Sequence, residues 1–210
     1  MAQGVHLITE EFERVVSDYT GAPYCVAVDN ASNALFLALT FSNVKGQNIM
    51  VPNHTYPSVP CEVIHAGAKV LFYNSVNPLS GAYYLNPTKV VDSALRFTAD
   101  MYEAGSLMCV SFTGAYKHLK LSKGGAILTD NFEAVKWLKK ARFSGRDECS
   151  YNEDDFDVNP VIGWNMYMMP ELAARGLLLM AEFYNPDGSK KDTEDKTISY
   201  PDLSTFKLWQ

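Results

Sequence analysis

Four places in this 210-residue chain hold residue types able to do chemistry. Lys117 follows the apolar run "LMCVSF" (107–112) and stands seven residues before the glycine pair Gly124-Gly125. Asp92 closes another apolar run in "VVDSAL". "DNASNALFLAL" sets Asn30, Ala31 and Ser32 just ahead of a helical pattern, and Tyr56 follows "VPNHT". Each has an ordinary reading on its own. Lys117 reads as a solvated surface charge, Asp92 as the N-cap of a following helix, Asn30–Ser32 as another cap, and Tyr56 as packing. Together they meet the demands of pyridoxal 5'-phosphate (PLP). A lysine amine forms a Schiff base with the aldehyde, an acid pairs with the ring nitrogen, helix-start amides hold the phosphate, and a flat aromatic covers the ring.

Each of these residues lies at the end of an apolar run, and the runs define the elements that must position them. Residues 8–19 place Phe12, Val15, Val16 and Tyr19 at helical spacing. Short apolar runs at 24–28, 48–52, 69–74, 89–92, 107–112 and 125–130 read as strands. The segments 31–41, 56–67, 131–144 and 169–184 read as helices, with Asp130 or Asn131 capping the third and Pro170 opening the last. Alternation of strand and helix over the first 145 residues predicts an α/β fold with a mostly parallel central sheet and helices on both faces. Ligands of such sheets lie beyond the carboxyl ends of the strands. "GRDECSYNEDDFDVNP" (145–160) reads as a long acidic loop. Residues 1–184 are expected to form one domain and 185–210 a C-terminal tail. That tail either docks through Phe206, Leu208 and Trp209 or dangles.

Bulk properties narrow the function. The net charge is −6, which argues against nucleic acid as the main partner. No apolar run reaches membrane-spanning length, and the first residues lack a signal-peptide layout. The four cysteines are spread, without a CxxC pair, and the four histidines show no metal-ligand spacing. A cytoplasmic protein without a metal site is expected.

Five segments, in order, resemble the DegT/DnrJ/StrS sugar aminotransferases of fold type I. "VDNASNALFLAL" is similar to the family's S-G-T-x-A-L phosphate segment, with Asn30, Ala31 and Ser32 in the S-G-T places. "VPNHTYPSVPCEVIHAGAKVLFYN" is similar to V-P-x-x-T-[FW] with a later G-A-x-P-V-F, which puts Tyr56 at the ring-stacking position. "VVDSAL" resembles E-D-A-A-Q, giving Asp92 the pyridinium role and placing Ala94 beside the cofactor. "SFTGAYKHLKLSKGG" resembles S-F-x-x-x-K followed by G-E-G-G. Lys117 is then the Schiff-base lysine, and Ser111 or Thr113 meets the phosphate. "GWNMYMMPELAARGL" resembles the family's last motif, in which Asn165 reaches the cofactor of the partner subunit. The resemblance spans roughly residues 10–182. It implies a PLP-dependent transaminase acting on a keto sugar, nucleotide-linked, with an amino donor such as glutamate, in a homodimer with shared sites.

The departures are specific. Asn30-Ala31 replaces Ser-Gly, Leu95 stands in the glutamine position, one extra residue separates Ser111 from Lys117, and Tyr167 replaces an arginine. Family members are nearly twice as long, so the resemblance implies a short version without the small C-terminal domain. Two other readings stay open: a catalytically silent binding or dimerisation module, and a dehydratase, whose branch carries histidine in the lysine's place.

Overall fold

In the computed structural model, which describes residues 4–148 and 160–209, the apolar runs become strands of one layered α/β body. In chain order the elements are α1 (Gly4–Thr20), β1 (Tyr24–Val28), α2 (Ala31–Phe41), β2 (Asn48–Pro52), α3 (Ser58–His65) and β3 (Lys69–Tyr73). They continue with β4 (Leu79–Ser80), β5 (Tyr83–Tyr84), β6 (Val90–Ser93), β7 (Leu107–Ser111), β8 (Gly125–Thr129), α4 (Phe132–Arg142), α5 (Pro170–Met180) and β9 (Thr197–Ile198). Asn131 caps α4 by accepting from the Glu133 and Ala134 amides, and Pro170 opens α5. Most of the acidic loop expected at 145–160 lies outside the described residues.

The α/β class holds, and the sheet is mixed. Its five strands run β1-β8-β7-β6-β5, with β6 and β7 parallel and the other neighbours antiparallel; β2 and β3 form a separate parallel pair. The reversal at β8 has a local cause. A parallel return needs a crossover of a dozen or more residues, usually a helix. Residues 112–124 form no helix and fold back as a loop, so β8 returns beside β7 in the opposite sense.

Side-chain alternation divides the core in two. Val26, Val28, Leu107, Cys109 and Ile127 face α2 and α4, whereas Cys25, Ala27, Met108, Val110 and Leu128 face α1 and α5. The central strands are therefore apolar on both faces. Helix α2 is buried from Ala34 to Leu39, as its all-round apolar sequence requires. On the other face α5 approaches α1 so closely that a Cβ at Gly176 would lie 2.5 Å from the Phe12 ring.

The tail from residue 185 docks, and of the three residues its sequence offers only Trp209 is half-buried. Phe206 and Leu208 remain exposed. The segment is held by β9 pairing with β4, by the Arg96–Asp195 ion pair, and by backbone bonds from Lys196 to Leu95 and from Leu203 to Asn53. Leu203 is its buried anchor. These residues form a strap across the carboxyl ends of the strands.

Candidate active site

The loop after β7 is shaped so that its lysine points inward. Leu119 and Leu121 plug into the core on either side of Lys120, whose φ of 52° reverses the chain. Amide bonds from Gly114 to Leu121 O and from Lys117 to Gly114 O tighten the turn. Lys117 is consequently buried, at 5% exposure. Its Nζ donates to Ala94 O at 2.6 Å and lies 5.1 Å from the centre of the Tyr116 ring. Burial pushes this ammonium below the ordinary lysine value, and the nearby Asp92 carboxylate pushes it back up. A buried lysine of lowered pKa is a nucleophile and proton carrier, not the solvated charge its local sequence allows.

Asp92 is buried within β6. No helix follows it, so the capping role that fits the local sequence does not hold. Its Oδ1 accepts from the Ala94 amide at 2.9 Å, and its Oδ2 accepts from the Tyr83 phenol at 2.6 Å. The Tyr83 oxygen in turn lies 2.6 Å from Thr55 Oγ1. Burial raises the Asp92 pKa, while Tyr83, the Ala94 amide and Lys117 oppose that rise.

The start of α2 supplies the third component. Asn30 caps it by accepting from the Asn33 amide at 2.8 Å, which leaves the Ala31 and Ser32 amides without an intrahelical acceptor. Ser32 Oγ shares a 2.7 Å bond with Ser58. A Cβ at Gly125 would sit 2.6 Å from Ala31 N and Asn30 C. The glycine is therefore the condition for α2 to begin against β8. Of the two candidate hydroxyls, Thr113 is engaged with both N and O of Gly124, whereas Ser111 has no hydrogen-bond partner among the described residues and borders the cavity.

These groups converge on one cavity of about 240 Å³ at the carboxyl ends of β1, β2, β6 and β7. Asn30, Ala31, Ser32 and Ser111 line it together with Asp92, Ala94 and Lys117. Tyr56, 54% exposed, stands at the mouth with its ring edge-on to Tyr200 at 6.4 Å. Leu95, in the glutamine position of the resemblance, presents a hydrocarbon wall. Asn165 is not there: it bridges to Phe143 beside His6, Arg146 and Tyr167 on a separate surface. Several lining residues were not anticipated, Thr55, Tyr83 and Tyr200 among them. Thr55 stands next to Tyr56 in "VPNHTY" and carried a signal. Tyr83, on a two-residue strand, and Tyr200, in a polar tail, carried none.

The donor set fits PLP. An amine, a carboxylate, a helix start with two serine hydroxyls and an exposed aromatic surround one space, and Gly125 removes the Cβ that would push the helix start away. The DegT/DnrJ/EryC1/StrS aminotransferase family model matches residues 6–92. The resemblance to these aminotransferases thus lies in residues 6–92. Over 82 residues it is 30% identical to a dTDP-3-amino-3,6-dideoxy-alpha-D-galactopyranose transaminase of Aneurinibacillus thermoaerophilus, covering 39% of this chain and 22% of that protein. An uncharacterised protein of Methanocaldococcus jannaschii is 20% identical, covering 85% of this chain and 61% of the other. The fold is that of the solved sugar aminotransferase of Micromonospora echinospora, with a TM-score of 0.67 at 19% identity, covering 83% of this chain and 60% of that one. The chain spans about three-fifths of the length of the Methanocaldococcus and Micromonospora proteins it matches. Among the described residues no helix is long and apolar enough to cross a membrane.

Proposed function

We propose that this chain binds PLP in the cavity and acts as an aminotransferase on a nucleotide-linked keto sugar, with an amino acid such as glutamate as donor. The observation that carries the reading is the meeting of buried Lys117 and buried Asp92 with the start of α2 around one cavity. When bound, PLP supplies an electron sink for the carbon whose proton is moved. Asp92 holds a proton at the ring nitrogen. The Ala31 and Ser32 amides and the Ser111 hydroxyl hold the phosphate. Lys117 anchors the aldehyde carbon and, when free, moves a proton as general acid and base, a role that its lowered pKa favours. Tyr56 covers the ring from the open side. Asn165, away from its own chain's cavity, is assigned to the cavity of a partner subunit in a homodimer.

The same geometry gives one ground for the silent-module reading: Leu95 leaves the glutamine position without a hydrogen-bonding group. A single-turnover assay separates the two. Protein loaded with PLP is mixed with glutamate, and 2-oxoglutarate is measured. The enzyme reading predicts one equivalent per loaded site, and then aminated sugar once a nucleotide-linked keto sugar is added. Retention of PLP with no keto acid formed from glutamate or from any other amino donor would leave a binding module.

A further inference from the structure

We propose that Tyr83 is a positioning residue for Asp92: its phenol, held from behind by Thr55, keeps the carboxylate ionised and fixed in the cavity lining. The identity of the group that Asp92 serves rests on the cofactor reading above; the bond itself does not.

The geometry begins with register. β5 pairs antiparallel with β6, and Tyr83 stands directly opposite Asp92. Directly opposed residues share a face of the sheet, so the phenol lies on the cavity side and reaches Asp92 Oδ2 at 2.6 Å. Its neighbour Tyr84 points to the other face, where its hydroxyl donates to Glu103 at 2.5 Å. The bonding chain has a defined direction. An ionised Asp92 has no proton to give, so the single Tyr83 proton points at Oδ2. The 2.6 Å contact between Thr55 Oγ1 and the Tyr83 oxygen is then a bond donated by Thr55. A hydroxyl that accepts a bond donates a stronger one, so Thr55 reinforces Tyr83.

The other groups facing Asp92 do not replace this bond. Among the described residues, Lys117 is the cation whose charge acts on it. The Cys109 thiol, on the adjacent strand, is held neutral by burial and by Asp92 itself. Tyr200, whose pKa burial pushes up to about 12 with help from Tyr116, Asp92 and Tyr56, stays protonated at neutral pH. The Ala94 amide holds Oδ1, and the Tyr83 phenol is the neutral donor that holds Oδ2. A two-residue edge strand, with no helix or motif to announce it, thereby opposes the effect of burial on the acid at the site.

The test is the titration of Asp92 in cofactor-free protein, followed by its side-chain carboxyl NMR shift and assigned with Asp92→Asn. Tyr83→Phe should move the midpoint upward, because the ionised form loses a donor. Thr55→Val should move it upward by less. Tyr84→Phe, which removes a comparable hydroxyl bond one residue along the same strand, should leave it in place. An unmoved or lowered midpoint in Tyr83→Phe, or an equal rise in Tyr84→Phe, overturns the proposal. If Tyr83→Phe does not fold, Thr55→Val decides, and an unmoved midpoint there overturns it. PLP retention by the wild-type protein is measured alongside. Loss of that retention would sink the cofactor reading and leave the titration result standing, whereas retention with an unmoved midpoint would sink only the role of Tyr83.

Discussion

Burial places the Asp92 carboxyl where its neutral form is favoured, and the pH dependence of stability should record this. Burial raises its folded pKa above the ordinary 3.8, so the folded state binds its proton more tightly than the unfolded state does. The stabilisation is complete below the ordinary value and is lost as pH rises through the raised one. Asp92→Asn does not titrate. Its stability relative to the wild type should therefore improve as pH rises from the ordinary 3.8 through the raised value and level off above it, as read by denaturant titrations in cofactor-free protein. A constant difference would mean that Asp92 is not perturbed. The same variant should lose turnover by about 10²–10³-fold, the scale for removing one charge-stabilising group. Lys117 behaves with the opposite sign. Its lowered pKa means that the stability it contributes is complete above the ordinary 10.5 and is lost as pH falls through the lowered value.

Elements bring these residues together, and Gly125 is a tight joint between β8 and the start of α2. In Gly125→Ala the new Cβ meets backbone, not a flexible side chain, so the start of α2 must move. Overpacking of this kind costs about 1–3 kcal/mol. Absorbance titration should show PLP binding weakened by at least about tenfold, the equivalent of about 1.4 kcal/mol; unchanged binding would remove the α2 start from the phosphate site. The strap offers a second test. The Arg96–Asp195 pair is part-exposed and is worth at most about 1 kcal/mol. Arg96→Ala should speed amide exchange at Lys196, which bonds to Leu95 O, without altering exchange in β7 or β8. Equal acceleration in β7 would make the pair a global support and not a local tie. Much of this was legible in the sequence. Apolar runs bounded by turn residues marked β1, β6, β7 and β8, and the distance from Lys117 to the glycine pair marked the loop. Strand direction was not legible, because an apolar run is the same in either sense. Neither was Tyr83, which reaches Asp92 by cross-strand pairing of two residues, nor the strap, which docks by an ion pair and backbone bonds with only Leu203 fully buried.

At the scale of the whole molecule, one chain holds eight of the nine expected site residues around its cavity and carries the ninth, Asn165, on another surface. A homodimer that lends Asn165 to its partner accounts for that placement. Sedimentation should find a dimer, and Asn165→Ala should weaken PLP retention while leaving the dimer and its melting temperature close to those of the wild type. A monomer with full turnover would contradict the shared site. The central claim is that Lys117 is the residue that takes the aldehyde of PLP, and reductive trapping tests it most directly. Protein incubated with PLP is treated with borohydride, digested and mapped by mass spectrometry. The account predicts a single phosphopyridoxyl group on Lys117, absent in Lys117→Ala; a label on Lys120 or Lys123, or no label at all, would contradict it.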